Sequence, residues 1–265
     1  MIAPPLLAWV GLRLREPDGV DTDRLGTFTG EVPRVGTPRE VALRKARMGM
    51  AASGLPLGIA NEGSFGPHPL VPFAPADHEL LLFVDDELGT EVVQEALSTK
   101  TNFAYQTVAR ADELQGDFLR RAHFPSHGLI VRPNAGPNPG LVFKGITTAP
   151  ALRQAVDRCV QTSIDRLAHV ETDMRAHMNP LRQAVLGELA ERLARRLAAR
   201  CPGCGSPGWG VVAVVRGLRC ALCGGETDLV REEIEGCPRC PLRRARPRGD
   251  GRRRADPGTC TWCNP

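Results

Sequence analysis

The apolar positions of this chain switch repeatedly between a helical period and a two-residue period, the pattern of an α/β protein with a mixed sheet flanked by helices. After an apolar start, Leu12–Arg15 reads as a short strand, and a polar loop, DTDRLGTFTGE, follows. The best-marked helix of the N-terminal half begins at Thr37, a good N-cap. Pro38 suits the first helical position, Glu40 completes a capping box, and Gly54 ends the helix. Leu57–Asn61 then reads as a buried strand running into EGSFGPHP, and Glu79–Asp85 and Thr90–Ala96 flank DELG as a hairpin. Helices are expected over Ala111–His123 and Ala151–Arg166, with Cys159 on the packed face of the second, and strands over Gly128–Arg132 and Leu141–Ile146. A further helix runs from Pro180 to Ala199 with Asn179 as its cap.

The segment VETDMRAHMN, residues 170–179, alternates strictly. If it is extended, Glu171, Asp173, Arg175, His177 and Asn179 share one sheet face, and Val170, Thr172, Met174, Ala176 and Met178 the other. A face with two acids, a guanidinium and an imidazole could form an active-site wall. Asp173 and His177 would then serve as acid, base or metal groups, and Arg175 as an anion clamp. An exposed polar strand face is the plainer alternative. In FPSHGLIV, Ser126 and His127 would point to opposite faces of a strand, which argues against a Ser–His dyad and for a satisfied His127. His68, between two prolines, stands on a rigid turn as a ligand candidate.

The last quarter of the chain changes the picture. Cys201/Cys204, Cys220/Cys223, Cys237/Cys240 and Cys260/Cys263 form four Cys-x-x-Cys knuckles, and two knuckles complete a four-sulfur zinc shell. Gaps of 15 residues between the first two pairs and 19 between the last two suit sequential pairing, first with second and third with fourth; crossed pairing is the alternative. The division expected is an α/β core over residues 1–200 and a double zinc ribbon with two structural ions over residues 201–265. No run approaches a membrane span, and the first ten residues lack the features of a signal peptide. Paired cysteines in a chain without export favour metal over disulfides and a cytoplasmic location.

The tail carries 11 Arg against 7 acidic residues, whereas the first 200 residues balance. Eight thiolates around two zinc ions cancel that excess. Within the tail, Arg239 to Arg254 holds eight Arg and one Asp, a stretch expected to be mobile and able to engage nucleic-acid phosphates. Between the first two knuckles, the Val211–Val215 run suits a ribbon strand.

Two resemblances add to this reading. The run from Thr37 to Pro69 resembles the helix–strand unit of the inosine triphosphate pyrophosphatase superfamily at Lys45-Ala46, Ser53-Gly54-Leu55-Pro56 and Glu62-Gly63. That likeness implies that Glu62 binds magnesium or positions water and that Lys45 contacts phosphate. It also implies a reading frame that continues upstream into a strand and a Lys-bearing turn. Asn61 stands where many of those enzymes carry a second acid. Across nearly the whole chain, EGSFGPHP, TNFA, FPSHGLIV, ETDMRAHMNP and the cysteine tail resemble an uncharacterised bacterial family with a domain of unknown function, departing at Asn61 and Leu181. That family implies no established activity. The function expected from all this is metal-assisted hydrolysis of a nucleotide-like phosphate ester or anhydride, with a non-enzymatic nucleic-acid or protein-binding module as the alternative. Parallel strand ends would gather Glu62, His68, Asp173, Arg175 and His177, with Arg182 in the first turn of a helix that aims its free N–H groups at the same cleft.

Overall fold

The computed structural model describes residues 1–27, 32–114, 116–136 and 140–265. The N-terminal half is built on an antiparallel meander of β1 (Leu57–His68), β2 (Val71–Asp85) and β3 (Thr90–Ser98). Alternation in β2 sorts its side chains onto two faces. Leu80, Leu82 and Val84 pack against Ala42, Ala46 and Met50 of α2 (Pro38–Ser53). Leu81 and Phe83 pack against Leu189, Leu193 and Leu197 of α5 (Pro180–Ala198), with Leu6 of α1 (Ala3–Val10) beside them. Burying both faces makes β2 the central strand of the core. The capping box forms as expected: Thr37 Oγ1 accepts from Glu40 N, and the Glu40 carboxylate accepts from Thr37 N.

A second sheet has the order β4-β7-β5-β6, from Tyr105–Val108, Ala168–Thr172, Leu129–Pro133 and Phe143–Ile146. One face is covered by α4 (Ala149–Thr162) and the short α3 (Asp117–Arg121), and Cys159 lies fully buried in that layer. Burial pushes its thiol up to about 11.

The α/β class holds, but all pairings between named strands are antiparallel, so among the described residues no row of parallel strand ends exists. Leu12–Arg15 is not a strand, and the described part of Ala111–His123 holds a 3-10 turn, Ala111–Leu114, and α3; Gln115 lies outside the described residues. The alternation at 170–178 is not one strand either. β7 ends at Thr172, and Ala176–Met178 is a 3-10 turn.

The tail forms a third sheet, β10-β9-β8, from Arg243–Pro247, Val230–Gly236 and Gly210–Arg216. Its strands run up, down and up, and this decides the cysteine pairing. Gly210 pairs with Gly236, so the first knuckle before β8 and the third after β9 meet at one end. The second and fourth knuckles meet at the other end, where Cys220 bridges Ala255. The cysteine sets are Cys201, Cys204, Cys237 and Cys240, and Cys220, Cys223, Cys260 and Cys263, so the sequential pairing is replaced by the crossed one. The basic stretch is also not a free loop, because β10 lies within it and pairs residue by residue with β9.

Candidate functional site

A cavity of about 310 Å³ lies between edge strand β1 of the first sheet and the turn after β7. Its position follows from the β1 register. Glu62 pairs with Leu80 and so faces α2, where Lys45 Nζ donates to Glu62 Oε2 at 2.7 Å. Arg34 Nη2 reaches Glu62 Oε1 at 2.7 Å and donates to the Gly63 carbonyl, while Arg34 Nη1 donates to Ser64 Oγ. One carboxylate, 5% exposed, therefore stands between two cations that both line the cavity.

Gly63 pairs with Glu79 and faces α5. There Arg182, 4% exposed, ion-pairs with Glu79 and donates from Nη1 to the Met174 carbonyl at 2.6 Å. Its guanidinium lies 5.2 Å from the Phe65 ring centroid. Asp77, two residues before Glu79 on the same face, is 1% exposed, and neither carboxylate oxygen has a hydrogen-bond partner among the described residues. Burial, reinforced by the Glu79 charge, pushes Asp77 up to about 7.

The opposite wall comes from the turn after β7. Asp173 is fully buried and accepts from Arg175 N at 3.1 Å, Arg175 Nη2 at 2.6 Å and Gly145 N at 3.0 Å. Both of its oxygens accept from Arg175, which holds that guanidinium against the wall. Arg175, His177 and Lys144 line the cavity.

Of the residues expected to gather here, Glu62, Arg175, His177 and Arg182 line one cavity, Asp173 stands behind it, and Lys45, singled out separately as a phosphate contact, lines the same cavity. His68 does not join them. It lies at the far end of β1, six residues beyond Glu62 or about 20 Å along an extended strand, where its Nδ1 accepts from Leu70 N. The α5 N-terminus is not open to an anion either. Asn179 Oδ1 accepts from Arg182 N at 3.0 Å, and His127 Nε2 accepts from Leu181 N at 3.2 Å. Burial, followed by the nearby His123, lowers the His127 pKa and keeps the ring a neutral acceptor. Ser126 and His127 do make contact, Oγ to Nδ1 at 3.0 Å, because they lie in a turn before β5 and not in a strand.

Magnesium does not fit Glu62 in this arrangement, because Arg34 and Lys45 occupy both oxygens. The two cysteine sets do fit zinc. Sγ–Sγ distances of 3.7 Å for Cys201–Cys240, 3.6 Å for Cys204–Cys237, 3.8 Å for Cys220–Cys263 and 3.7 Å for Cys223–Cys260 match the roughly 3.8 Å edge of a tetrahedron with Zn–S near 2.3 Å. Disulfides would need about 2.05 Å.

In the basic stretch, Arg246 pairs with Glu233 at 2.7 Å and Glu235 at 3.4 Å, and Arg248 with Asp250 at 2.6 Å. The acidic strand β9 therefore offsets part of the arginine charge. Arg252, Arg253 and Arg254 remain exposed.

Sequence reasoning missed Arg34, Lys144, Asp77 and Glu79. Only the last two left a signal: in DHELLLF, Asp77 and Glu79 share the face of Leu81 and Phe83, so two acids sit on a core-facing row.

Among the described residues no helix is long and apolar enough to cross a membrane. No curated protein and no solved structure matches the chain, and the pyrophosphatase likeness gains no support. The family model described as a domain of unknown function (DUF6671) matches residues 45–265, which take in Lys45, Glu62, Arg175, His177, Arg182 and both cysteine sets; the chain belongs to that family.

Proposed function

We propose that the cavity beside β1 binds a small anion through a phosphate-like group, and that two structural zinc ions hold the tail. The observation that carries the first part is the Glu62 arrangement: one carboxylate between Arg34 and Lys45, each at 2.7 Å, leaves a positive surplus on the cavity wall. Asp23, the other acidic residue on the wall, is exposed and so is screened by solvent. Lys45 is a compact ammonium on a rigid helix, suited to a phosphate oxygen, and Arg34 offers a planar fork. The ligand class is a phosphate ester or anhydride, with nucleotides among the candidates. His177, on the opposite wall, supplies the imidazole that proton transfer to a leaving group would need.

Binding and metal-assisted hydrolysis make opposite demands on Glu62. In the binding role its charge competes with the ligand for Arg34 and Lys45. In the hydrolytic role it must hold a magnesium ion. Titration calorimetry with inorganic phosphate and pyrophosphate separates the two. Glu62→Gln is expected to tighten anion binding severalfold, and Lys45→Ala to weaken it about tenfold, the scale of one charge-assisted hydrogen bond. Magnesium-dependent pyrophosphate release from nucleoside triphosphates that disappears in Glu62→Gln would instead establish the hydrolase.

A further inference from the structure

We infer that the anion carries an apolar chain, which lies in a trough leading from the cation-lined cavity along α2 and β1. This rests on the anion-binding reading above and names the rest of the ligand. The cavity adjoins a second hollow, since Thr22, Lys45 and Asn61 form walls of both. That hollow adjoins a third of about 310 Å³, with Gly49 and Ile59 common to the two. The far end is apolar: Leu12, Met50, Leu57 and Phe83 line it. Leu14 and Leu55, on the same wall, are 41% and 46% exposed, so the trough presents apolar surface that an occupant would cover.

Two independent rulers give its length. Lys45, Gly49 and Ser53 fall at intervals of four along α2, and eight helical residues span about 12 Å. Asn61 to Leu57 is four residues of β1, about 13 Å. A charge beside Lys45 and an apolar group over Met50 and Leu57 therefore belong to one molecule with about 12 Å between them, the reach of roughly ten extended carbons. The apolar end favours an aliphatic or isoprenoid chain over a nucleobase. Its polar side chains are Arg13, Arg15, Glu87 and Ser53, and the Ser53 hydroxyl already donates to the Gly49 carbonyl. Leu12, Met50, Leu57 and Phe83 are the surface that an occupant of that end would cover, and an aliphatic chain covers them with no polar groups of its own to satisfy.

Gly49 lines both the second and the third hollow, so a side chain placed there would obstruct the passage between them. A Cβ on Gly49 would have Pro17 as its nearest neighbour, at 3.8 Å, and Gly49 has no left-handed backbone, so a leucine fits the helix and projects into the trough. The test is calorimetry on the full chain with inorganic phosphate and the butyl, hexyl, octyl, decyl and dodecyl monophosphates, below their micelle concentrations, with adenosine monophosphate and decanol alongside. Affinity is expected to climb about threefold per methylene, to level off near ten carbons, and to exceed that of inorganic phosphate at least about a hundredfold. In Gly49→Leu the ratio of decyl phosphate to phosphate affinity should fall to within about threefold of one, while Lys45→Ala weakens every phosphate in the series. If phosphate binds but affinity does not climb with chain length, the inference is overturned and the anion site stands. It is equally overturned if adenosine monophosphate outbinds decyl phosphate, if decanol equals it, or if folded Gly49→Leu keeps the climb. If neither phosphate nor any alkyl phosphate binds, the anion site falls and takes the inference with it.

Discussion

Gly63 lies so close to Arg182 that a methyl group added at Gly63 would stand 2.6 Å from Arg182 Nη2 and 2.9 Å from Glu79 Oε1. A glycine here is a packing requirement and not a conformational one. The Arg182–Glu79 pair is almost wholly buried, and Arg182 is also tied to the Met174 carbonyl, so the guanidinium cannot swing away without leaving a buried charge unpaired. Gly63→Ala is therefore expected to lose about 1–3 kcal/mol in denaturant unfolding, the usual cost of overpacking. Gly66→Ala, three residues along the same strand where a Cβ meets nothing within 4 Å, should stay within about 0.5 kcal/mol of wild type. Equal stability of the two variants would show that the Gly63–Arg182 contact constrains nothing.

Asp77 gives stability a pH dependence of unusual sign. Its carboxyl titrates at about 7 in the folded protein, against an ordinary value near 4, because burial and the Glu79 charge disfavour the anion. Between those values the folded state holds a proton that the unfolded state has released. The Asp77 contribution is then fully present below about pH 4 and falls as pH rises toward 7, at up to roughly 1.4 kcal/mol per pH unit. Asp77→Asn keeps the shape and removes the ionisation. Relative to wild type, the variant should gain a few kcal/mol between pH 5 and pH 8, with little change above about pH 8. A difference that stays flat over that range would show that Asp77 does not change charge there.

Where one local interaction decides an element, the sequence announced it. Thr37 and Glu40 close their capping box within four residues, Asn179 caps α5, and Asp85 accepts Leu88 N in the DELG turn. Residues 170–178 misled because alternation is a necessary sign of a strand and not a sufficient one. The Asp173 carboxylate takes the N–H groups of Arg175 and Gly145, and the chain turns there. That turn carries Arg175 and His177 to the cavity, an outcome the alternation suggested for the wrong geometric reason. Arg34 was illegible because its partner lies 28 residues away on β1, and only the tertiary fold brings them together.

The cysteine pairing is the sharpest case, because sequential and crossed arrangements use the same eight cysteines, and the shorter gaps pointed to the wrong one. The three-stranded ribbon decides between them. β8 and β9 are antiparallel with Gly210 opposite Gly236, so the knuckle that precedes β8 and the knuckle that follows β9 must share an end. Double substitutions read this directly by zinc content. Cys201→Ser with Cys237→Ser damages one site in the crossed arrangement, so elemental analysis should find about one zinc per chain where wild type has about two. Cys201→Ser with Cys220→Ser damages both and should leave close to none. Sequential pairing predicts the reverse for the two variants, so the comparison is decisive even if absolute occupancy is incomplete. Folding follows the metal: apparent binding energies of about 10–16 kcal/mol for structural zinc exceed what a sheet of this size can supply by itself. A chelator should therefore unfold the tail, with protease sensitivity appearing after residue 200 before the core is cut. Cys159→Ser leaves both cysteine sets untouched and should not lower the zinc content, which separates loss of a set member from loss of any cysteine.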